Sequence, residues 1–223
     1  FPPTPAPAVI KLSLSQENFF SLGRLLKGLG YATYFFTCGA ANFENMGGFL
    51  QNNGFDHIIE EKDFENPVFR NNWGVSDEDL VTKANEVFRS QGDAPFFGMM
   101  FTTSNHSPFD YPEGRIEPYE QPANTRNNAL KYADYAIGRL FELAEREAYY
   151  SNTIFMVVAD HDTPLRGSGL IPLEHFRIPH IAEDIDAQPD NKPDETTAVP
   201  AVNLRKSRLL MLEFSLSMRS LHC

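Results

Sequence analysis

Two short polar segments carry the residue types best suited to chemistry on a charged group. Asp160 and His161 are adjacent, and a carboxylate and an imidazole are both good ligands for one divalent cation. His106 lies in the segment Ser104–Pro108, where its imidazole is placed to donate a hydrogen bond to an anionic oxygen or to move a proton. Each also has a structural interpretation, since loop residues of these types often bind only backbone groups.

Other catalytic motifs are absent from the sequence. It contains no GxSxG nucleophile turn, no glycine-rich nucleotide-binding loop and no HExxH zinc motif. Serine hydrolases, nucleotide-binding enzymes and zinc proteases that use those motifs are therefore excluded. The single tryptophan, Trp73, immediately precedes a predicted helix start. Two interpretations stay open: this helix start faces an anion, or Trp73 is simply an anchor of the core or its edge.

The two histidine-bearing segments each follow a predicted strand. The apolar runs Pro95–Thr103 and Thr153–Ala159 are typical of strands covered on both sides. Apolar residues at helical spacing precede each strand, over Ser76–Ser90 and Asn124–Tyr149. We therefore expect an α/β fold with a mostly parallel sheet and helices on both faces, in which chemistry gathers at the carboxyl ends of the strands.

The first 60 residues predict further elements of the same kind. A helix over Gln16–Leu29, capped by Ser15, precedes a buried strand at Tyr31–Thr37. A short helix at Phe43–Leu50 and a short strand at Phe55–Ile59 follow. These elements add a strand and its covering helices to the predicted sheet.

Both ends of the chain differ in composition from the part between them. Residues 1–7 are rich in proline and predict an extended connection. Residues 8–182 form the predicted domain, which we expect to be incomplete, and residues 183–223 are first acidic and then basic. For Ser207–Met218 we leave open two alternatives, a docked helix and a tail foreign to the fold.

Composition limits the classes of partner. A chain of 223 residues with 42% hydrophobic content buries one sizeable core. The net charge of -11 argues against nucleic acid as a partner, because phosphate binding needs a cationic face. Cys38 and Cys223 form no recognisable metal or disulfide pattern, and no apolar run reaches the length of a membrane span. We expect the chain as it stands to be soluble and to begin without a signal peptide.

Four segments in the same order resemble one enzyme family. Asn152–His161 resembles the "NTIF…DH" segment of lipoteichoic acid synthase-like phosphoglycerol transferases and related sulfatases of the alkaline phosphatase superfamily. Thr103–Phe109 is similar to that family's "TxNHxPF" segment, and Trp73–Asp79 to its "WGVSDED" helix start. Gly54–Asp56 also matches. The resemblance covers roughly residues 8–182, the C-terminal part of that family's catalytic domain.

This resemblance implies a metal-dependent enzyme that uses one divalent cation, manganese or magnesium. Asp160 and His161 would be metal ligands, and His106 would contact the head group of an anionic phospholipid or glycan substrate. The parent protein would act at the extracytoplasmic (periplasmic) face of a bacterial membrane, attached through an N-terminal segment that this chain lacks.

The chain also departs from the family pattern. The family's nucleophile and one acidic metal ligand lie N-terminal to Phe1, so we expect the fragment to be inactive alone. Thr4 and Cys38 do not match the nucleophile motifs, and Ala40 and Ala41 lie where the family has substrate-binding residues. Two alternatives stay open, a sulfatase acting on sulfate esters and a degenerate domain that binds without catalysis.

Overall fold

One mixed sheet organises the chain. The structure, a computed structural model, describes residues 16–159, 180–184 and 208–214. In chain order the helices and strands are α1 (Leu22–Gly28), β1 (Ala32–Thr37), α2 (Met46–Asn52), β2 (His57–Ile59), β3 (Arg70–Asn71), β4 (Gly74–Val75), α3 (Asp77–Ser90), β5 (Phe96–Phe101), α4 (Arg126–Ala144), β6 (Thr153–Ala159), β7 (His180–Asp184) and β8 (Arg208–Phe214). Six strands form the sheet in the order β2-β1-β5-β8-β6-β7, and β3 pairs with β4 in a separate hairpin.

The sheet is mostly parallel, as the sequence predicts. Strands β2, β1, β5, β8 and β6 run in one direction, and only β7 is antiparallel to its neighbour. The predicted strands at β1, β5 and β6 are confirmed, β6 with the predicted bounds. Because neighbouring parallel strands end at the same edge, the carboxyl ends of β1, β5 and β6 lie along one side of the sheet.

Helices cover both faces of the sheet. Phe36 of β1 belongs to a buried cluster with Leu80 of α3 and Leu140 of α4. Its neighbour Phe35 points to the other face and packs in a cluster with Leu26 of α1. Alternate side chains of one strand therefore belong to two separate apolar layers, which is why the strand is apolar at almost every position.

The start of α3 follows the sequence prediction, and the start of α1 does not. Ser76 caps α3 in a capping box with Asp79. The prediction of a helix from Gln16 is wrong, because α1 begins at Leu22 and Ser21 accepts a hydrogen bond from the N–H of Arg24. Asn18 has a φ of 64°, which a right-handed helix cannot contain. Ser15, the predicted cap, lies outside the described residues.

The C-terminal segment contributes a strand to the sheet. The helix considered at Ser207–Met218 is wrong: Arg208–Phe214 forms β8, which pairs with β5 on one side and β6 on the other. This pairing also contradicts a tail foreign to the fold for these seven residues. The leucine-rich sequence favours a helix locally, but the backbone groups of two parallel strands need partners, and tertiary pairing overrides local preference. The division at residues 182 and 183 stays a prediction.

None of the described helices combines the length and apolarity needed to cross a membrane. The longest, α4, has 19 residues, and its sequence is amphipathic.

Gly74 is held between the hairpin and the end of β1. Its φ is 108°, and a Cβ built on it would lie 2.0 Å from the carbonyl oxygen of Cys38. The N–H of Val75 donates to that same oxygen at 3.0 Å. The β3–β4 hairpin is therefore fixed directly against the backbone that follows β1, and only glycine fits at the contact.

Replacing Gly74 with alanine is expected to destabilise the protein by about 3 kcal/mol or more, since backbone strain adds to a steric clash. The matched control is Gly92→Ala, which also has a positive φ, 57°, but has no atom within 4 Å of the new Cβ. Gly92→Ala should lower the free energy of unfolding by only about 1–2 kcal/mol. Urea unfolding measures both values, and an equal loss in the two variants would contradict the close contact.

Candidate functional site

A cleft of about 810 Å³ opens at the carboxyl edge of the sheet. Residues that follow β1, residues that follow β5 and the β3–β4 hairpin form its walls. The lining residues are Thr37, Gly39, Ala40, Asn42, Phe43, Glu44, Met46, Glu61, Asn72, Trp73, Phe101, Thr103, His106, Ser107 and Pro108. His106 therefore lies where the sequence predicts, at a cleft beside the end of a buried strand.

The imidazole of His106 has a fixed orientation. Its Nδ1 lies 3.1 Å from the carbonyl oxygen of Thr103, and its backbone N–H donates to the same oxygen at 3.1 Å. Because a carbonyl oxygen only accepts, we assign the ring proton to Nδ1. Nε2 is then the ring nitrogen left for a ligand, as an acceptor in the neutral ring and as a donor in the charged one.

Trp73 supports the histidine from one side. The two rings lie 4.6 Å apart between centroids, and the Trp73 Nε1–H donates to the carbonyl oxygen of Ser107 at 2.8 Å. Phe43 meets the indole edge-on from the opposite wall, with 6.1 Å between ring centroids. Trp73 thus forms part of the cleft wall and ties the hairpin to the segment that carries His106.

Two N–H groups at the start of α3 are already bonded within the protein. The N–H of Glu78 donates to the hydroxyl of Tyr132 at 3.3 Å, and the N–H of Asp79 donates to Ser76 Oγ at 3.2 Å. Three acidic residues also occupy this first turn. The acidic side chains therefore offset the helix dipole, and neither of these two N–H groups is left to bind a ligand.

Asp77 is fully buried behind the cleft. Its Oδ1 accepts hydrogen bonds from the backbone N–H groups of Thr103 at 3.0 Å and Ser104 at 3.3 Å. The thiol of Cys38 lies 3.5 Å from the same oxygen. Burial raises the pKa of the Asp77 carboxyl, and the Thr103 N–H opposes that rise. Burial and the nearby Asp77 likewise raise the pKa of the Cys38 thiol, which suits a packed thiol rather than a nucleophile.

The cleft contains little positive charge of its own. The described residues that line it include no lysine or arginine, and they include the carboxylates of Glu44 and Glu61. Arg70 lies outside this lining and pairs with Glu61 at 2.6 Å. An anionic group in this cleft would meet one imidazole and would need a further cation to balance its charge.

The predicted metal ligands Asp160 and His161 lie outside the described residues. Ala159, the last described residue before them, ends β6 at the carboxyl edge. Phe101 of β5 and Val158 of β6 both pair with Glu213 of the strand between them. The ends of β5 and β6 are therefore level and about 10 Å apart, two strand spacings. Within residues 16–159, no group of three or more His, Cys, Asp or Glu side chains is arranged to hold a metal ion.

A second cleft of about 680 Å³ adjoins the first, and Asn72 lines both. It runs between the β3–β4 hairpin and the segment from Phe109 to Asn124. Asn71 holds the two walls together by donating to the carbonyl oxygen of Asp110 at 3.4 Å.

Sequence reasoning missed several residues that shape the site. Phe43 and Met46 reach the cleft because a tight turn and the short helix α2 follow β1. The role of Asp77 was also missed, because its position in the first turn of α3 predicts only a contact with its own helix. The sequence offers no signal of this kind for Phe43 and Met46, because the residues directly after β1 are Cys38, Gly39 and two alanines rather than polar side chains.

The chain is similar in sequence to one protein family and to several curated proteins. The sequence profile of the family described as Sulfatase matches residues 2–206. The chain is 26% identical over 174 residues to phosphoglycerol transferase I of Salmonella arizonae, covering 70% of this chain and 22% of that protein. It is 29% identical over 150 residues to phosphoglycerol transferase I of Xanthomonas axonopodis pv. citri, covering 63% and 21%. The chain thus spans about a fifth of the length of these relatives.

Two solved structures share the fold. A protein of the alkaline phosphatase superfamily from Vibrio parahaemolyticus is 53% identical, with a TM-score of 0.80, covering 85% of this chain and 47% of that one. A lipoteichoic acid synthase from Listeria monocytogenes is 24% identical, with a TM-score of 0.63, covering 73% and 45%. The second similarity concerns the fold alone. The expected sulfatase-type α/β fold is therefore confirmed, and the chain spans just under half of each solved chain.

Replacing Asp77 with asparagine is expected to change how the free energy of unfolding depends on pH. Burial raises the folded-state pKa of this carboxyl above its unfolded value, so the folded protein binds the proton more tightly. The resulting stabilisation is complete below the unfolded pKa and is lost as the pH rises through the folded pKa. The free energy of unfolding of Asp77→Asn should not show this decrease as the pH rises. Urea unfolding of both proteins from about pH 3 to pH 8 measures the difference, and a constant difference would contradict it.

Proposed function

The chain belongs to the sulfatase family, and we propose that it is part of a metal-dependent phosphoglycerol transferase-like enzyme that acts on phosphodiesters of membrane lipid or glycan head groups. The observation that carries the proposal is His106, held with Nε2 free of the Thr103 contact at a cleft on the carboxyl edge of a parallel sheet. The names of the curated relatives favour phosphoglycerol transfer over other reactions of the family.

His106 would bind the anionic head group. Its Nδ1 is committed to Thr103, so a proton on Nε2 would be directed at a phosphoryl oxygen in the cleft. The indole of Trp73 packs against the imidazole, with 4.6 Å between the ring centroids. A charged imidazole in a partly desolvated cleft stabilises negative charge more strongly than the same group in water.

A divalent metal would supply the positive charge that the described lining lacks. The donor set within residues 16–159 does not by itself hold a metal, so the ion would depend on Asp160 and His161 together with ligands from elsewhere in the complete protein. A carboxylate and an imidazole suit manganese or magnesium and would polarise a phosphoryl oxygen. Their place directly after β6 would put them at the same sheet edge as His106.

We propose that this chain is inactive without the rest of the enzyme. The sequence contains no segment that matches the family's nucleophile, and covalent transfer of a phosphoglycerol group requires one. In the complete protein, the domain would work at the periplasmic face of the bacterial membrane, attached through an N-terminal segment. Its substrates would be anionic phospholipids or glycans.

The purified chain is expected to release no nitrophenolate from bis(4-nitrophenyl) phosphate in the presence of Mn²⁺, because the nucleophile is missing. The rate is compared with that of a full-length relative by absorbance. A parallel assay of the complete protein with 4-nitrophenyl sulfate tests the sulfatase alternative. Turnover by the isolated chain at the rate of its full-length relatives would contradict the proposal.

Alanine at Asp160 or His161 is expected to weaken Mn²⁺ binding by the complete protein by at least about tenfold, since each substitution removes a proposed ligand. Titration calorimetry measures the affinity, and Glu86→Ala, on the outer surface of α3, serves as the charge-matched control. If neither the unchanged protein nor the variants bind Mn²⁺, the non-catalytic alternative is favoured over the metal-dependent enzyme.

A further inference from the structure

We propose that Asp77 is a positioning residue that holds the turn after β5 in the conformation that orients His106 toward the cleft. The proposal rests on the proposed function, in which His106 binds the substrate's head group. Asp77 is fully buried and is not among the residues that line the cleft, so it would act only through the turn.

The first link joins Asp77 to the backbone of the turn. Both Thr103 and Ser104 donate their N–H groups to Asp77 Oδ1, at 3.0 and 3.3 Å. Both residues are buried, so water does not offer these N–H groups an alternative partner. Two successive N–H groups directed at one oxygen fix the orientation of both peptide planes.

The second link joins the same peptide to the histidine. The carbonyl oxygen of Thr103 accepts from the backbone N–H of His106 and faces the ring Nδ1, both at 3.1 Å. Thr103 is therefore held at its N–H by Asp77 and holds His106 through its carbonyl group. If the Asp77 contact were lost, the Thr103 peptide would be free to move, and the imidazole of His106 would move with it.

Asp77 is not needed to cap its own helix. The start of α3 is capped by Ser76 and Asp79, which exchange hydrogen bonds with each other's backbone. An acidic residue serves the helix dipole equally well when it is exposed, and burying its carboxyl group carries a desolvation cost. Contact with the turn after β5 gives a physical reason for that burial.

Asp77 also reaches the end of β1. The Cys38 thiol contacts Asp77 Oδ1 at 3.5 Å, and Cys38 is fully buried. One carboxyl group therefore touches the residues that follow both strands of the cleft floor. Its second oxygen, Oδ2, is buried with no hydrogen-bond partner among the described residues, so the hydrogen bonds to this carboxyl group are concentrated on Oδ1.

The test compares three variants in the complete encoded protein. Asp77→Ala removes the acceptor, Asp77→Asn keeps a weaker neutral acceptor of the same shape, and His106→Ala removes the proposed ligand contact. The stability control is Tyr149→Phe, which deletes a buried 2.5 Å hydrogen bond to Asn85 far along α3 from the cleft. Nitrogen NMR reports the tautomer and pH titration of the His106 ring, and calorimetry with glycerol 3-phosphate reports head-group binding.

We expect Asp77→Ala to lower the affinity for glycerol 3-phosphate by about tenfold or more and to shift the His106 ring toward mixed tautomers. Asp77→Asn should lie between Asp77→Ala and the unchanged protein, and Tyr149→Phe should alter neither quantity. If Asp77→Ala does not fold, the same two measurements on Asp77→Asn test the positioning role of Asp77. An unchanged His106 spectrum in the folded variant would overturn the proposal, as would an equal change in Tyr149→Phe.

The two proposals fail separately. If the unchanged protein does not bind glycerol 3-phosphate, the proposed function is contradicted, while the ring spectrum of His106 still decides whether Asp77 positions it. If binding is present and is lost in His106→Ala, but Asp77→Ala leaves both the spectrum and the affinity unchanged, only the positioning role is contradicted.

Discussion

Parallel pairing of β5 and β6 on either side of β8 is the constraint on which the site depends. Parallel strands in register end at a common edge, and the shared partner Glu213 sets the ends of β5 and β6 level. Strands β5 and β6 therefore end at the same side of the sheet, the side at which the segment carrying His106 follows β5. Without β8, β5 and β6 would lack the partner that fixes their relative register.

Charge balance links this geometry to the proposed chemistry. The described cleft lining provides one imidazole, two carboxylates and neither lysine nor arginine. Nucleic-acid-binding surfaces are instead rich in lysine and arginine, and the net charge of -11 also distinguishes this chain from proteins with such surfaces. In the proposed function, a bound cation would supply the positive charge that this lining lacks, which is why the proposal joins the cleft to the predicted ligands beyond Ala159.

Buried polar contacts hold the loops of the cleft in place. Asp77 binds the turn after β5, and Gly74 allows the hairpin to contact the backbone after β1. Trp73 then bridges the hairpin and the segment of His106. Each contact joins residues more than 20 positions apart in sequence, so these segments hold one another in place where the walls of the cleft meet. Such contacts favour a preorganised site, in which orientation is established before a ligand arrives.

The sequence by itself determined the fold class, the strands β1, β5 and β6, the capped start of α3 and the place of His106 after a buried strand. These features follow from apolar periodicity and local hydrogen bonding, which neighbouring residues decide. Only the tertiary structure decided that Arg208–Phe214 is a strand and that Asp77 binds the turn after β5. Both depend on backbone groups more than 20 residues away, and a local pattern carries no information about where those partners will lie.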